Sequence, residues 1–458
     1  MKRLLVSAAH KSSGKTTVAI GLAAALAARG EVVQPFKKGP DYIDPIWLAL
    51  AADRSCFNLD PYLSGADEIR AGFARRMAGA TLGLIEGNKG LHDGLDLHGS
   101  NSNAALAVML SAPVVLVIDA RGMTRGIAPI ILGFQAFTPR ANIVGVILNQ
   151  LGGTRHESKL RAVIEHYTDV SVVGAIPRDA ALAIEERHLG LVPGNEAPEA
   201  RKRVAAIAAR MTSSVDLGRI LELSAAAPPL AVSPPAAAPA AAGPRVRIAM
   251  ARDAAFGFYY ADDLELLGDA GADVVAFDAL REPRLPDADG LFIGGGFPEM
   301  HLEALSANAP LRADIRRRVG AGLPTYAECG GLMYLARGIE WHGRRAEMVG
   351  AIPADIVMHE RPVGRGYVHL RETGSSPWPA GVPAAPVRAH EFHYSSVENL
   401  PGDARFAYAV ERGYGIDGKR DGFVQGNLLA SYAHLRSVAA SPWAARFVDF
   451  VRSCRRGA

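Results

Sequence analysis

Cysteine is scarce: Cys56, Cys329 and Cys454 are the only three in 458 residues, too few for a disulfide framework. No charged-then-apolar leader precedes the first strand, so the reducing cytoplasm is the expected compartment. Charge of one sign is not in excess either. Lys+Arg total 50 against 47 Asp+Glu, a net +3, and that balance argues for neither nucleic acid nor a membrane as partner. The apolar run at 104–118 is interrupted by Pro113 and falls short of a membrane span. There is no internal repeat and no amphipathic membrane-targeting tail. What is present is length, with 49% apolar residues, enough to fill more than one core.

The densest signal is AAHKSSGKTT at residues 8–17, between an apolar strand at 4–9 and a helix expected over 17–28. It matches G-x-x-x-x-G-K-[ST] except that Ala9 stands at the first glycine, and a chance GKT is the alternative. Gly14 turns backbone N–H groups inward, Lys15 reaches β/γ-phosphates, Thr16 offers a hydroxyl to Mg²⁺, and Thr17 opens the helix whose N-terminus faces the anion. Lys11 lies one place too close to Gly14 for the signature lysine of partitioning ATPases, and reads as solvated or phosphate-facing.

In the first half, apolar runs at 3–9, 32–36, 82–85, 114–118, 143–148 and 172–176 alternate with helical stretches. Unbroken apolar strands are buried on both faces, which predicts a doubly wound parallel sheet with ligands at the carboxyl ends of its strands. The second run leads into KKGPDYIDP (37–45) and the third into EGNKGLHDG (86–94). If these strands are neighbours, their acids converge on the phosphate loop. Thr16, Asp44 or Asp41, and Glu86 are then partners for Mg²⁺, which takes few protein carboxylates beside phosphate oxygens. Turns or helix caps would be the plain alternative for each loop. Arg121 and Arg125 could receive substrate carboxylates or simply lie on the surface. Asn149 is placed to read a nucleotide base edge.

Residues 225–244, almost all Ala and Pro, have no periodic apolar face and read as an exposed linker between domains at 1–224 and 245–458. The second half restarts with strands at 245–251, 274–277 and 290–293 and a helix at 262–270. Gly294-Gly295-Gly296 would expose N–H groups as an oxyanion hole requires, or form a flexible loop. In PTYAECGGL (324–332), Cys329 sits at a strand–turn–helix elbow flanked by Ala327 and Gly331, the geometry of a nucleophile. The helix N-terminus behind it is expected to favour the thiolate. His434 in LASYAHL (429–435) is the candidate base. The HEFH cluster at 390–393 lacks partners at metal-ligand spacing, and a structural or substrate-side role is expected for it.

Together, GKTT, KKGPDYIDP, EGNKGLHDG, GGGFPE (294–299), YAECGGLMYL (326–335), EFHYS (391–395) and SYAHL (431–435) resemble the cobyrinic acid a,c-diamide synthase family over nearly the whole chain. The resemblance implies an α/β chain of two domains: a P-loop synthetase similar to dethiobiotin synthetase, and a flavodoxin-like class I glutaminase. It implies a carbon–nitrogen ligase of cobalamin biosynthesis that uses ATP, Mg²⁺ and L-glutamine to amidate the a- and c-acetates of cobyrinic or hydrogenobyrinic acid. Cys329 would be the glutaminase nucleophile and His434 its base, with Gly295, Gly296 and Gly330 at the oxyanion. Lys15, Thr16, Asp44, Glu86 and Asp93 would belong to the synthetase site. The place two after the histidine, where many such glutaminases carry Glu, is Arg436, so no third member is assigned. Asn88-Lys89 departs from the family motif beside the acceptor site, with Lys89 a substrate contact, and keeps sirohydrochlorin, its nickel complex and sirohaem open as substrates. A nucleotide switch with a degenerate glutaminase is the reading from another class. The expected partners are small molecules, glutamine and an anionic tetrapyrrole, with no nucleic acid or membrane, and a homodimer if the chain self-associates.

Overall fold

The computed structural model describes residues 1–182, 184, 186–187, 190–197, 199–232, 243–379 and 386–456. The chain divides into two compact units, Met1–Ala236 and Ala237–Ala458. Half of the expected linker, residues 233–242, lies outside the described residues.

Unit one is built on strands β1 (Arg3–Ala8), β2 (Val33–Lys38), β3 (Phe57–Leu59), β4 (Leu82–Glu86), β5 (Val114–Asp119), β6 (Ile143–Leu151) and β7 (Ser171–Pro177), all parallel, in the order β3-β2-β4-β1-β5-β6-β7. Its helices are α1 (Lys15–Ala28), α2 (Ile43–Ala52), α3 (Ala66–Arg76), α4 (Asn103–Leu110), α5 (Ile127–Phe137), α6 (Thr154–Tyr167), α7 (Ala200–Ser214) and α8 (Leu217–Ala225), and β8 (Glu186–Arg187) pairs with β9 (Gly190–Leu191). Leu4, Val6, Val115 and Val117 share one core with Val18, Leu22, Trp47, Ile207 and Met211. The alternate residues Leu5, Leu116 and Ile118 are equally buried, so helices cover both faces as the unbroken apolar strands predict. β3 was not anticipated: three residues, one of them Asn58, carry no readable period.

Unit two contains β10 (Val246–Ala251), β11 (Phe256–Phe258), β12 (Ala272–Phe277), β13 (Gly290–Ile293), β14 (Gly295–Gly296), β15 (Thr325–Glu328), β16 (Gly338–Trp341), β17 (Arg344–Glu347), β18 (Asp355–Met358), β19 (Gly364–Glu372), β20 (Val387–His393), β21 (Ser395–Glu398), β22 (Arg405–Arg412), β23 (Arg420–Gln425) and β24 (Leu428–Ser431). The helices are α9 (Ala261–Asp269), α10 (Leu302–Ala307), α11 (Ala309–Gly320), α12 (Gly330–Leu335) and α13 (Trp443–Arg456). The main sheet runs β12-β10-β13-β15-β24-β23-β22-β19-β20. Its first five strands are parallel, and in chain order they read 2-1-3-4-5, the flavodoxin-like order. Four antiparallel strands extend it, β23, β22, β19 and β20, which the sequence reading did not contain. A four-stranded sheet, β17-β16-β18-β21, and the antiparallel pair β11–β14 complete the described part of the unit.

Candidate active site

In unit one, β2 and β1 flank β4, and their register sets Val6 and Lys37 beside Glu86. The carboxyl ends of three strands therefore meet at the loop before α1. That loop turns through left-handed residues Ser12 (φ 67°) and Gly14 (φ 82°). A Cβ on Gly14 would lie 2.2 Å from Asn149 Nδ2, so glycine is required by conformation and by space.

Lys15 Nζ is 2.7 Å from Glu86 Oε1, and Thr16 Oγ1 donates to that oxygen at 2.6 Å and to Asp44 Oδ2 at 3.3 Å. Lys37 Nζ lies 2.5 Å from Asp44 Oδ2, 3.2 Å from Glu86 Oε2 and 3.7 Å from Asp41 Oδ2. Two ammonium groups thus face three carboxylates. Burial works against a charged Glu86, but Lys15 and Lys37, with hydrogen bonds from Lys15 and Thr16, hold it down at about 2. Burial and then Asp41 push Asp44 up to about 7 against the pull of Lys37. Lys15 is lowered by burial, whereas Lys37 is raised because its three carboxylates outweigh its burial. The excess negative charge resides on Asp44, and a cation with a polyphosphate would relieve it. Thr16, Asp44 and Glu86 fit Mg²⁺ in its phosphate-assisted mode. Among the described residues no group of three or more His, Cys, Asp or Glu could hold a metal by itself.

In unit two, β15 ends at Glu328, paired with Ser431 of β24. Cys329 follows at φ 47° and ψ −103°, a strained elbow fixed by its N–H donating 2.7 Å to Ser431 O. Its Sγ lies 4.0 Å from Phe392 O, and the Gly330 N–H donates to the sulfur. His434, also buried, bridges to His390 through the backbone and stacks on its ring at 4.9 Å. Gly295 and Gly330 complete the cluster: a Cβ on Gly295 would meet His434 Cε1 at 2.6 Å, and one on Gly330 would meet Gly296 N at 3.0 Å. Cys329, the His434 imidazole and the three glycines expected at the oxyanion come together here.

The CobQ/CobB/MinD/ParA nucleotide binding domain matches residues 5–192, and the CobB/CobQ-like glutamine amidotransferase domain matches 247–441. The chain is similar to the cobyrinate a,c-diamide synthase of Magnetococcus marinus, 49% identical over 98% of this chain and 97% of that protein. The same-named proteins of Methanosarcina acetivorans (41%; 98% and 95% covered) and Archaeoglobus fulgidus (40%; 97% and 96%) are further relatives. This chain belongs to the cobyrinate a,c-diamide synthase family. The solved structure of PurLQS from Thermotoga maritima is similar at a TM-score of 0.36 and 12% identity, covering 46% of this chain and 99% of that one.

Within this cobyrinate a,c-diamide synthase family chain, the other expected residues have the following surroundings. Asn149 Nδ2 donates 2.9 Å to Ser13 O and so braces the phosphate loop. Arg121 closes on Asp119, with Nε 2.9 Å and Nη2 2.5 Å from Oδ2, because an acid two residues away is cheaper to reach than a ligand. Arg125 lies over the Tyr167 ring at 5.2 Å. Lys89 is exposed at φ 50°, and Thr17 is half-buried in the first turn of α1. Asp93 does not join the carboxylate cluster; it accepts from Gly90 N at 2.9 Å and faces Lys38, which burial lowers to about 8. The expected thiolate is also corrected. Burial first, then Glu299, raises the Cys329 thiol, against which the one N–H from a six-residue helix is too little.

Three positions escaped the sequence reading. Asn103 of α4 pins the loop after β4, its Nδ2 donating to Asn88 O at 2.6 Å and Gly90 O at 2.9 Å while Oδ1 accepts from Asn88 N at 2.9 Å. Asp421 holds the segment before His434, accepting from Tyr432 N at 3.0 Å and Ala433 N at 2.9 Å. Glu328 Oε2 is 3.6 Å from His434 Nδ1. The signal for Glu328 was present, an acid on a buried strand one place before the nucleophile. In the HEFH cluster Glu391 accepts from Tyr414 N and Gly415 N at 2.7 and 2.8 Å, and His393 stacks on Tyr432 at 3.7 Å. No helix among the described residues is long and apolar enough to cross a membrane.

Proposed function

We propose that the chain amidates the a- and c-acetate carboxylates of cobyrinic or hydrogenobyrinic acid in cobalamin biosynthesis, using ATP and glutamine. The observation that carries this reading is the pairing, in one chain of this family, of a charged phosphate loop with a buried cysteine elbow. Residues 1–224 form the synthetase and 245–458 the glutaminase in this proposal, joined by 225–244.

A carboxylate is a poor electrophile, so a carboxylate oxygen of the substrate first attacks the γ-phosphorus, ADP leaves, and an acyl phosphate results. Lys15 and the N–H groups around Gly14 hold the phosphates in line. Thr16, Asp44 and Glu86 hold Mg²⁺, which supplies charge neutralisation on the phosphate oxygens. Ammonia then forms the C–N bond as phosphate departs. To supply it, Cys329 passes its proton to His434 and its sulfur attacks the glutamine amide carbon. The oxyanion rests on N–H groups from Gly295, Gly296 and Gly330. His434 returns the proton to the leaving ammonia, and water cleaves the thioester to glutamate. The raised thiol makes this base a requirement, since the resting sulfur carries its proton. Three free cysteines suit the reducing cytoplasm, and a homodimer is part of the same proposal.

Mass spectrometry of products made with ATP, Mg²⁺ and glutamine, offering cobyrinic or hydrogenobyrinic acid and sirohydrochlorin in parallel, tests the reading. Two amides on the corrinoid are expected. Cys329→Ser should abolish this with glutamine and retain it with ammonium chloride. Product from sirohydrochlorin alone would move the chain to another substrate, and no glutamine hydrolysis by the wild type would remove the amidotransferase reading.

A further inference from the structure

Resting on the glutaminase reading above, we infer that Glu328 is the positioning residue of His434, completing a cysteine–histidine–glutamate relay from the residue immediately before the nucleophile. The usual third position, two after the histidine, is Arg436, which is ion-paired with Asp262 and lies over the Tyr260 ring at 4.7 Å. It cannot supply an anion to the imidazole. Glu328 can. Its Oε2 is 3.6 Å from His434 Nδ1, with both side chains 4% exposed.

The carboxylate is itself held. Leu435 N donates to Oε1 at 2.9 Å and the Tyr326 hydroxyl donates to the same oxygen, leaving Oε2 for the ring. The backbone explains why it points there. Glu328 ends β15 in register with Ser431 of β24, so its side chain emerges beside the segment that carries His434 three residues later. An acid on Nδ1 keeps that nitrogen protonated and presents Nε2 as the acceptor for the thiol proton. When Nε2 takes the proton, the resulting imidazolium faces a buried negative charge at close range. The proton then passes from Nε2 to the departing ammonia, so Glu328 neither gains nor loses one.

The other charged and titratable groups around the ring do not duplicate this role. His390 of β20, stacked at 4.9 Å, is pushed well below the usual histidine range by burial, His434 and Arg436, and is neutral. Asp262 of α9 is committed to Arg436, and Asp263 accepts from Ser437 N at 2.9 Å and Trp443 Nε1 at 3.1 Å. Glu299 and Asp421 act on the Cys329 thiol.

Glu328→Gln preserves an oxygen for Leu435 N and Tyr326 while removing the charge. Expected is a loss of about 100-fold in glutaminase kcat with KM for glutamine changed by less than about threefold. Amidation with ammonium chloride should stay at the wild-type rate. Wild-type glutaminase turnover, or a loss carried by KM and not by kcat, overturns the inference. If ammonia-dependent amidation is also lost, the variant is misfolded and Tyr326→Phe decides. It frees Oε1 from one of its two donors, so glutaminase kcat should fall several-fold with KM for glutamine unchanged, and a wild-type kcat overturns the inference. A wild type inert towards glutamine fails the amidotransferase reading itself, and Glu328 with it. Active wild type with an indifferent Glu328→Gln fails Glu328 alone.

Discussion

Gly331 is where a single methyl group should separate the two half-reactions. A Cβ there would lie 2.1 Å from the Ile293 carbonyl oxygen and 2.8 Å from its carbonyl carbon. A relaxed C···O contact is about 3.3 Å, so about 1 Å must be found. The obstructing atoms are backbone at the end of β13, which is paired with β15 at Ile293–Ala327, so β13 cannot yield without breaking the sheet. The six-residue α12 must move, and with it the Cys329 elbow at its N-terminus. A displacement of about 1 Å at reacting atoms costs about 100-fold in rate, and the overpacking itself about 1–3 kcal/mol of stability. The assay measures glutamate release and corrinoid amidation by Gly331→Ala, with glutamine or ammonium chloride as donor. Glutaminase kcat should fall by about 100-fold, and the ammonia-supported rate should match the wild type. Glutamine turnover within about twofold of wild type would refute the argument that close packing of α12 on β13 sets the nucleophile.

Other perturbations test the phosphate-loop cluster. Lys37→Met leaves Asp44 and Asp41 without their buried cation and Glu86 with Lys15 alone; the thermal unfolding transition of unit one should reflect a loss of about 3–5 kcal/mol, partly restored in the Lys37→Met/Asp44→Asn double variant. Asp44, raised to about 7 in the ligand-free protein, must lose its proton to bind a cation, so apparent Mg²⁺ affinity should strengthen as pH rises through that value and weaken below it. Asp44→Asn should remove the slope, while a flat Mg²⁺ requirement in the wild type between about pH 6 and about pH 8 would contradict the assignment. For stability of the ligand-free domain the sign is opposite to an ordinary acid: a raised folded value favours the fold at low pH, and this contribution is lost as pH rises through about 7.

What the sequence by itself determined is local. Strand–GKTT–helix, continuous apolar runs and the AEC elbow are each encoded within about ten residues, because phosphate loops, doubly buried strands and nucleophile turns need particular neighbours in the chain. Those motifs sufficed for two α/β domains and for Lys15, Thr16, Glu86, Asp44, Cys329 and His434 as candidates. Tertiary structure decided whom each of them faces. Strand order brings Lys37 between Asp44 and Glu86, and sets Glu328, 106 positions before His434 in sequence, beside its imidazole. Arg121 pairs with Asp119 two residues away, since a partner already held nearby costs little chain entropy, whereas Asn149 meets the Ser13 carbonyl across 136 positions of sequence through the fold alone. The antiparallel half of the second sheet was equally illegible, because its strands β19, β20, β22 and β23 take their register from long-range pairing and not from any motif of their own. Burial, which no single stretch of sequence states, is what turned the expected thiolate of Cys329 into a thiol that needs its base.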